Sequence, residues 1–221
     1  AQSTCAHGGD TFVRYWLHNG FVNVDREKMS KSIGNVLLVH ELLEQASGEA
    51  IRLALLSAHY RQPLDWTDDG LDRATKMLDR LYGAARALSE VDASPDAAPD
   101  PDFIAALNDD LNTPKAMAAL FELARQANVA TAEDDKRRIK GTLLASAALI
   151  GLLEQDPEDW FSGNSDDGDG PDPAEIETLI EARNDARAAK DFAESDRIRD
   201  ELSAKGILLE DGAGGTKWRR A

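Results

Sequence analysis

Cysteine is nearly absent. Cys5 stands alone in 221 residues, so no disulfide can close within the chain. That excludes a disulfide-stapled scaffold and fits a reducing, cytoplasmic setting. Cys5 itself is expected to act as a small buried apolar residue. No run of about eighteen apolar residues occurs, which excludes a spanning helix and gives the expectation of no membrane partner. The first residues lack a basic start followed by an apolar stretch, so no signal peptide is expected. Basic charge is scarce too: 25 Lys and Arg face 41 Asp and Glu, a net charge of −16. That balance opposes non-specific binding to nucleic acid.

The imbalance is uneven. Residues 92–175 hold 19 acidic and 6 basic side chains, whereas residues 176–221 hold 10 and 9. The near-neutral tail leaves room for a shaped contact with a polyanion. Asp166, Asp167 and Asp169 lie in an acidic, Gly-rich stretch. Their spacing lacks the regular ligands and terminal Glu of an EF-hand loop, so no metal is expected there.

Apolar periodicity predicts a mainly α chain. Helices are expected over Thr11–His18 and over Val39–Ala46, the latter closed by Gly48, and again over Glu49–His59. Gly20–Asp25 alternates and reads as a strand. Thr67 suits the N-cap of a long helix to about Val91, with Leu71, Ala74, Met77, Leu78, Leu81, Tyr82, Ala85 and Leu88 on one stripe. Thr113 and Pro114 suit a helix start, and Thr131 another helix reaching Glu154. Residues 67–154 then make an antiparallel helical bundle. Residues 174–204 read as two helices broken near Asp191, and 206–220 as a hairpin.

Two stretches carry chemistry. Lys28-Met-Ser-Lys-Ser32, inside Val24–Asn35, sets two ammonium groups three residues apart among hydroxyls, ahead of Gly34. That pattern suits a mobile phosphate clamp, and equally a solvated turn. At the other end, Arg183, Arg187 and Lys190 fall at i, i+4 and i+7, followed by Phe192, Asp196, Asp211 and Lys217–Arg220. Cations, an aromatic face and fixed carboxylates suit unpaired bases, as they also suit a wet helix with a packed Trp218. Arg61, in His59-Tyr60-Arg61, is read either as a phosphate contact or as a brace at a domain junction.

The Lys28–Ser32 run resembles the signature loop of class I aminoacyl-tRNA synthetases. The stretches Ala1–His7, Tyr15-Trp16, Val24–Glu27, His59–Arg61, Asp109–Pro114, Gly206–Asp211 and Trp218–Arg220 resemble the cysteinyl-tRNA synthetase family in particular. The resemblance implies the C-terminal part of such an enzyme. Residues 1–36 would end a Rossmann-type catalytic domain with its signature loop, and 37–66 would be a connecting helical segment. Residues 67–161 would form an antiparallel helical bundle on the anticodon side. An acidic linker would follow over 162–173, then a small helical and hairpin anticodon module over 174–221.

It further implies that Lys28 and Lys31 serve the catalytic step on the phosphates of ATP, taken with magnesium, with Ser30 and Ser32 holding the loop. Arg187, Phe192, Asp196, Asp211 and Trp218 would meet the tRNA anticodon, Trp218 either by stacking or only by packing. Partners would be cysteine, ATP and tRNA-Cys, and the protein a monomer. The family's zinc ligands would lie in a His-His-Glu-Asn-Glu run before Ala1, so no metal site is expected in this chain. Its His-x-Gly-His motif is likewise missing, so the chain is expected to be inactive alone. Rival readings are a non-catalytic tRNA-binding fragment, a structural helical protein, and a related cysteine–amino-sugar ligase. Residues 174–221 argue against the last.

Overall fold

Alternating Val22 and Val24 start a small sheet at the front of the molecule. The computed structural model describes residues 2–162, 171–212 and 215–220, leaving the side chains of residues 210, 219 and 220 undescribed. Strand β1 (Val22–Val24) pairs antiparallel with β2 (Glu27–Lys28) and parallel with β3 (Leu64–Trp66), in the order β2–β1–β3. Asp25 and Arg26 link β1 to β2 at φ of 50° and 69°, a two-residue turn whose left-handed residues match the strand twist. The Arg26 amide donates to Asp65 Oδ1 at 2.7 Å and ties the turn to β3. Gly20 donates its amide to the Tyr60 carbonyl at 2.7 Å, and a Cβ there would collide with the Gln62 carbonyl. This close approach requires glycine.

Upstream, α1 (Gln2–Ala6) is one short helix. The helix expected over Thr11–His18 does not form. Phe12, Tyr15, Trp16 and Leu17 are exposed, so no packed face offsets the cost of ordering so short a segment. Cys5, expected to be buried, is exposed within the same unpacked region.

Helix α2 spans Val39–Leu43 and α3 spans Gly48–Leu56. Gly48 does not close α2. It opens α3, because Ser47 Oγ accepts from the Ala50 amide at 3.2 Å and caps that helix. Ile51, Leu53 and Ala54 are buried, while Leu55 stays exposed. Helix α4 (Asp68–Ala87) is capped by Thr67, whose hydroxyl accepts from Gly70 at 3.0 Å. Its stripe is buried except for the partly buried Met77.

Helices α5 (Pro101–Asn108), α6 (Thr113–Val129), α7 (Glu133–Ala148) and α8 (Pro157–Ser162) complete the bundle. Helix α4 packs on α3, α6 and α8, and α6 packs on α5 and α7. The cap of α6 is Asn112 rather than Thr113, since its Oδ1 accepts from Lys115 at 3.2 Å. Helix α7 starts two residues after Thr131 and stops before Glu154. After a turn, the Leu153 and Glu154 amides donate to Glu49, each at 3.2 Å, and tie the chain to α3.

Helices α9 (Pro173–Ala188) and α10 (Phe192–Ala204) precede a hairpin of β4 (Ile207–Gly212) and β5 (Gly215–Arg220). Asp191 caps α10 by accepting from Glu194 at 3.1 Å. Ile176, Ile180, Ile198, Leu202, Ile207 and Trp218 form this module's own core. The molecule is mainly helical, with a small mixed sheet at the front, as the sequence implied. Residues 163–170, which hold most of the expected acidic linker with Asp166, Asp167 and Asp169, lie outside the described residues. No helix among the described residues is long and apolar enough to cross a membrane.

Glu49 is 6 % exposed and accepts from Tyr82 Oη at 2.8 Å as well as from the two amides. Burial, the largest cause, and Glu49 itself both hold the Tyr82 phenol above its ordinary value. Glu49→Ala would strand two buried donors and one part-buried donor and is expected to destabilise by about 3 kcal/mol. Tyr82→Phe removes two bonds, the donation to Glu49 and the one accepted from the Gln155 amide at 3.2 Å, and should cost about 2 kcal/mol. Urea midpoints measure both, and equal losses would contradict this ordering.

Candidate functional site

The Lys28–Ser32 turn is stapled at its base and open at its tip. Asn35 Oδ1 accepts from the Ser30 amide at 2.8 Å, and Asn35 Nδ2 donates to the Lys28 carbonyl at 3.4 Å. The Ser30 and Ser32 hydroxyls lie 3.2 Å apart, and the Gly34 amide donates to the Ser30 carbonyl at 3.2 Å. Gly34 has φ of 79° with open space around it, so the backbone angle is what requires glycine there. Lys28 ends β2 and sets its ammonium 4.7 Å from the Phe21 ring centroid. Lys31 is exposed at the tip. Among the described residues neither lysine forms a salt bridge, and both side chains are exposed, Lys28 with its ammonium over the Phe21 ring. Sequence reasoning gave Asn35 and Phe21 no role, although both flank the motif.

Behind the turn, the loop after α3 joins the sheet to the bundle. Asp110 Oδ2 accepts from Arg61 Nε at 2.6 Å, and Oδ1 from Arg61 Nη2 at 3.0 Å and Tyr60 Oη at 2.7 Å. His59 Nε2 lies 3.9 Å from the same carboxylate. Asp110 and Leu111 sit at φ of 57° and 54°, and this left-handed pair aims the carboxylate at Arg61. Of the two roles open to Arg61, the geometry is that of the brace.

The C-terminal module gathers its polar groups around Asp211. Its Oδ1 accepts from Arg183 Nη1 at 2.9 Å and Thr216 Oγ1 at 2.8 Å, and Oδ2 from Arg183 Nη2 at 2.8 Å and Arg187 Nη1 at 3.0 Å. A carboxylate offers about four acceptor positions, and these bonds use all of them. Arg183, through its two bonds, and then Thr216 hold the Asp211 carboxyl far below the usual carboxylate range. The expected basic stripe is therefore not a stripe. Arg183 is 5 % exposed and turned inward, and Lys190 lies past the end of α9 at φ of 62°. Trp218 is buried, with its indole donating to Glu177 at 2.8 Å. Of its two open roles this is packing, because no face is free to stack.

Phe192 is 65 % exposed on the first turn of α10, and Asp196 is exposed one turn on. Arg187, Asn184, Asp211, Gly215 and Thr216 line an open concavity. Asn184 and Thr216 carried no sequence signal, since only the α9–hairpin packing brings them together. The backbones of Arg219 and Arg220 lie in β5, but their side chains lie outside the described residues. Among the described residues no three His, Cys, Asp or Glu side chains gather as a metal site, so no zinc step is assigned to them.

Comparison with known proteins follows this layout. The family profile described as "tRNA synthetases class I (C) catalytic domain" matches residues 1–76. The DALR domain profile matches residues 102–154, and "Cysteinyl-tRNA ligase anticodon binding domain" matches 171–219. A protein named "Cysteine--tRNA ligase" from Parvibaculum lavamentivorans is 61 % identical over 100 % of this chain and 47 % of its own length. Proteins of that name from Paramagnetospirillum magneticum and Xanthomonas campestris pv. campestris are 57 % and 50 % identical. They too match over 100 % of this chain, and over 48 % and 47 % of their own lengths. The chain spans about half the length of these relatives.

The Asp110 brace predicts a pH dependence. Arg61, then Tyr60, lower its carboxyl from 3.8 to about 2. A depressed folded value contributes stability that is complete above the unfolded value and lost as pH falls through the folded one. Stability should therefore drop as pH falls from about 4 to about 2, and Asp110→Asn should flatten that limb. Urea unfolding at stepped pH measures it, and an unchanged limb in the variant would contradict the brace.

Proposed function

The chain belongs to the cysteinyl-tRNA synthetase family, and we propose that it supplies the ATP-closing loop and the anticodon-reading end of a cysteine–tRNA ligase. The intact enzyme joins cysteine to ATP with loss of pyrophosphate, then passes the cysteinyl group to tRNA-Cys. The observation that carries this reading is the Lys28–Ser32 turn: stapled by Asn35, hinged at Gly34, with two lysines open to solvent.

Negative charge moves onto the departing phosphates as the carboxylate of cysteine attacks the α-phosphate. Ammonium groups that close on those oxygens stabilise the transition state more than the bound substrate. Lys31, at the tip, contacts the phosphates once the turn closes. Lys28, held over Phe21 on β2, adds charge from a fixed position. Ser30 and Ser32 keep the turn together through their paired hydroxyls. Magnesium, arriving with ATP as part of that substrate, would share this neutralisation.

At the far end, Arg187, Phe192 and Asp196 meet the unpaired anticodon. Phe192 offers a stacking face and Asp196 accepts from base edges. Asp211, with its acceptor positions filled from within, holds Arg187 at the concavity and reads a base only by exchanging one of those bonds. Trp218 supports the module from its core. Domain boundaries follow the same division: loop and sheet, connecting helices, bundle, then module.

In the full-length protein, Lys31→Ala should slow ATP–pyrophosphate exchange by about 10²-fold, with the KM for cysteine nearly unchanged. Undiminished exchange would remove Lys31 from the chemistry. For the 221-residue chain itself, a band-shift with tRNA-Cys should show binding that Phe192→Ala weakens by about 1–3 kcal/mol, without any exchange activity. Exchange by the chain alone, or equal binding by Phe192→Ala, would contradict the division of labour.

A further inference from the structure

We propose that Glu158 is a positioning residue that fixes the C-terminal module on the helical bundle, so that Arg187, Phe192 and Asp196 meet the anticodon in one orientation. This rests on the anticodon reading proposed above.

Arg86, on α4, is 8 % exposed, which immobilises its guanidinium within the bundle. Its Nε donates to Glu158 Oε1 at 3.0 Å and its Nη2 to Oε2 at 2.5 Å, a two-pronged, charge-assisted fork. The guanidinium also stands 5.0 Å from the Phe161 ring centroid, so both ends of α8 lean on this one cation. Glu158 Oε1 accepts a further bond, at 3.3 Å, from Lys217 Nζ on β5. Arg86 Nη2 completes the joint 3.4 Å from the Trp218 carbonyl. A single carboxylate on a six-residue helix thus faces a buried cation of the bundle and a surface cation of the hairpin.

The hairpin residues gripped here belong to the rigid part of the module. Trp218 lies in its core with Ile176, Ile180, Ile198, Leu202 and Ile207. Whatever fixes residues 217–218 therefore fixes α9 and α10, which carry Arg187, Phe192 and Asp196. In sequence, residues 163–172 contain no Leu, Ile, Val, Met or aromatic residue. Glu158 and Lys217 are each about half exposed, so salt screens the hairpin side of the joint.

The test uses the 221-residue chain with Cys5→Ser and spin labels at Ala118→Cys on α6 and Ser203→Cys on α10, both exposed positions. Double electron–electron resonance should give one narrow distance at low salt. Glu158→Gln should broaden it at least twofold. Lys217→Glu, a surface change that leaves the Arg86 fork intact, should broaden it too, so the proposal does not hang on one variant's folding. Salt of about 0.5 M should broaden the parent in the same way. An unchanged distribution in both variants overturns the proposal.

Binding supplies a second readout with an informative sign. Glu158→Gln removes a negative charge from an acidic protein, which by bulk electrostatics alone tightens phosphate binding. Loss of a fixed pose instead predicts tRNA-Cys affinity weakened about five- to tenfold, because binding must then order the module. Tighter binding with an unchanged distance would overturn the role. If no form of the chain binds tRNA-Cys, the anticodon reading fails, while the distance measurement still judges Glu158.

Discussion

A chain of net charge −16 must keep its parts together against its own repulsion. It does so by placing carboxylates at its joints as acceptors for donors from other elements. Glu49 on α3 takes Tyr82 of α4 and the amides that follow α7. Asp110, between α5 and α6, takes Tyr60 and Arg61 behind the sheet. Glu158 on α8 takes Arg86 of α4 and Lys217 of β5, and Asp211 on β4 takes Arg183 and Arg187 of α9. Apolar stripes build the two cores, and these four acceptors fix how one element meets the next. Side chains outside the joints – Lys28 and Lys31 at the front, Phe192 and Asp196 at the tip – remain available to partners.

The helices were legible because their stripes are dense. Thr67 and Asp191 cap where the pattern begins, and the apolar positions of α4 fall inward as their spacing requires. What sequence could not supply was the partner that decides a marginal segment. Residues 11–18 carry helical spacing, but their large apolar side chains stay exposed and no helix forms; Cys5, upstream, is exposed too. Gly48 looked like a stop because glycine ends helices, yet Ser47 beside it makes a stronger start. Helix α7 stops at Ala148, and beyond the turn that follows it a buried glutamate more than a hundred residues upstream takes the Leu153 and Glu154 amides.

The same limit governs the sites. The front turn is local, so its motif, its hinge and its exposed lysines could be read from a dozen consecutive residues. The tip is not local. Arg183 and Arg187 share one helix face, and only the arrival of Asp211 from the hairpin sends the first inward and leaves the second at the concavity. Trp218 has the composition of a stacking residue and the position of a core residue, and position wins. Glu158 had no motif at all, since its meaning lies in two cations from distant parts of the chain.

In the function proposed above, one protein presents two separate surfaces, a lysine turn to nucleotide and an exposed helix end to unpaired bases. Hydrogen exchange on the full-length protein separates the two. With ATP and cysteine but no tRNA, protection should rise across residues 28–35 and stay flat across 184–196. With tRNA-Cys but no ATP, the pattern should reverse. Protection of neither stretch, or of residues 28–35 by tRNA alone with 184–196 unmoved, would contradict the account.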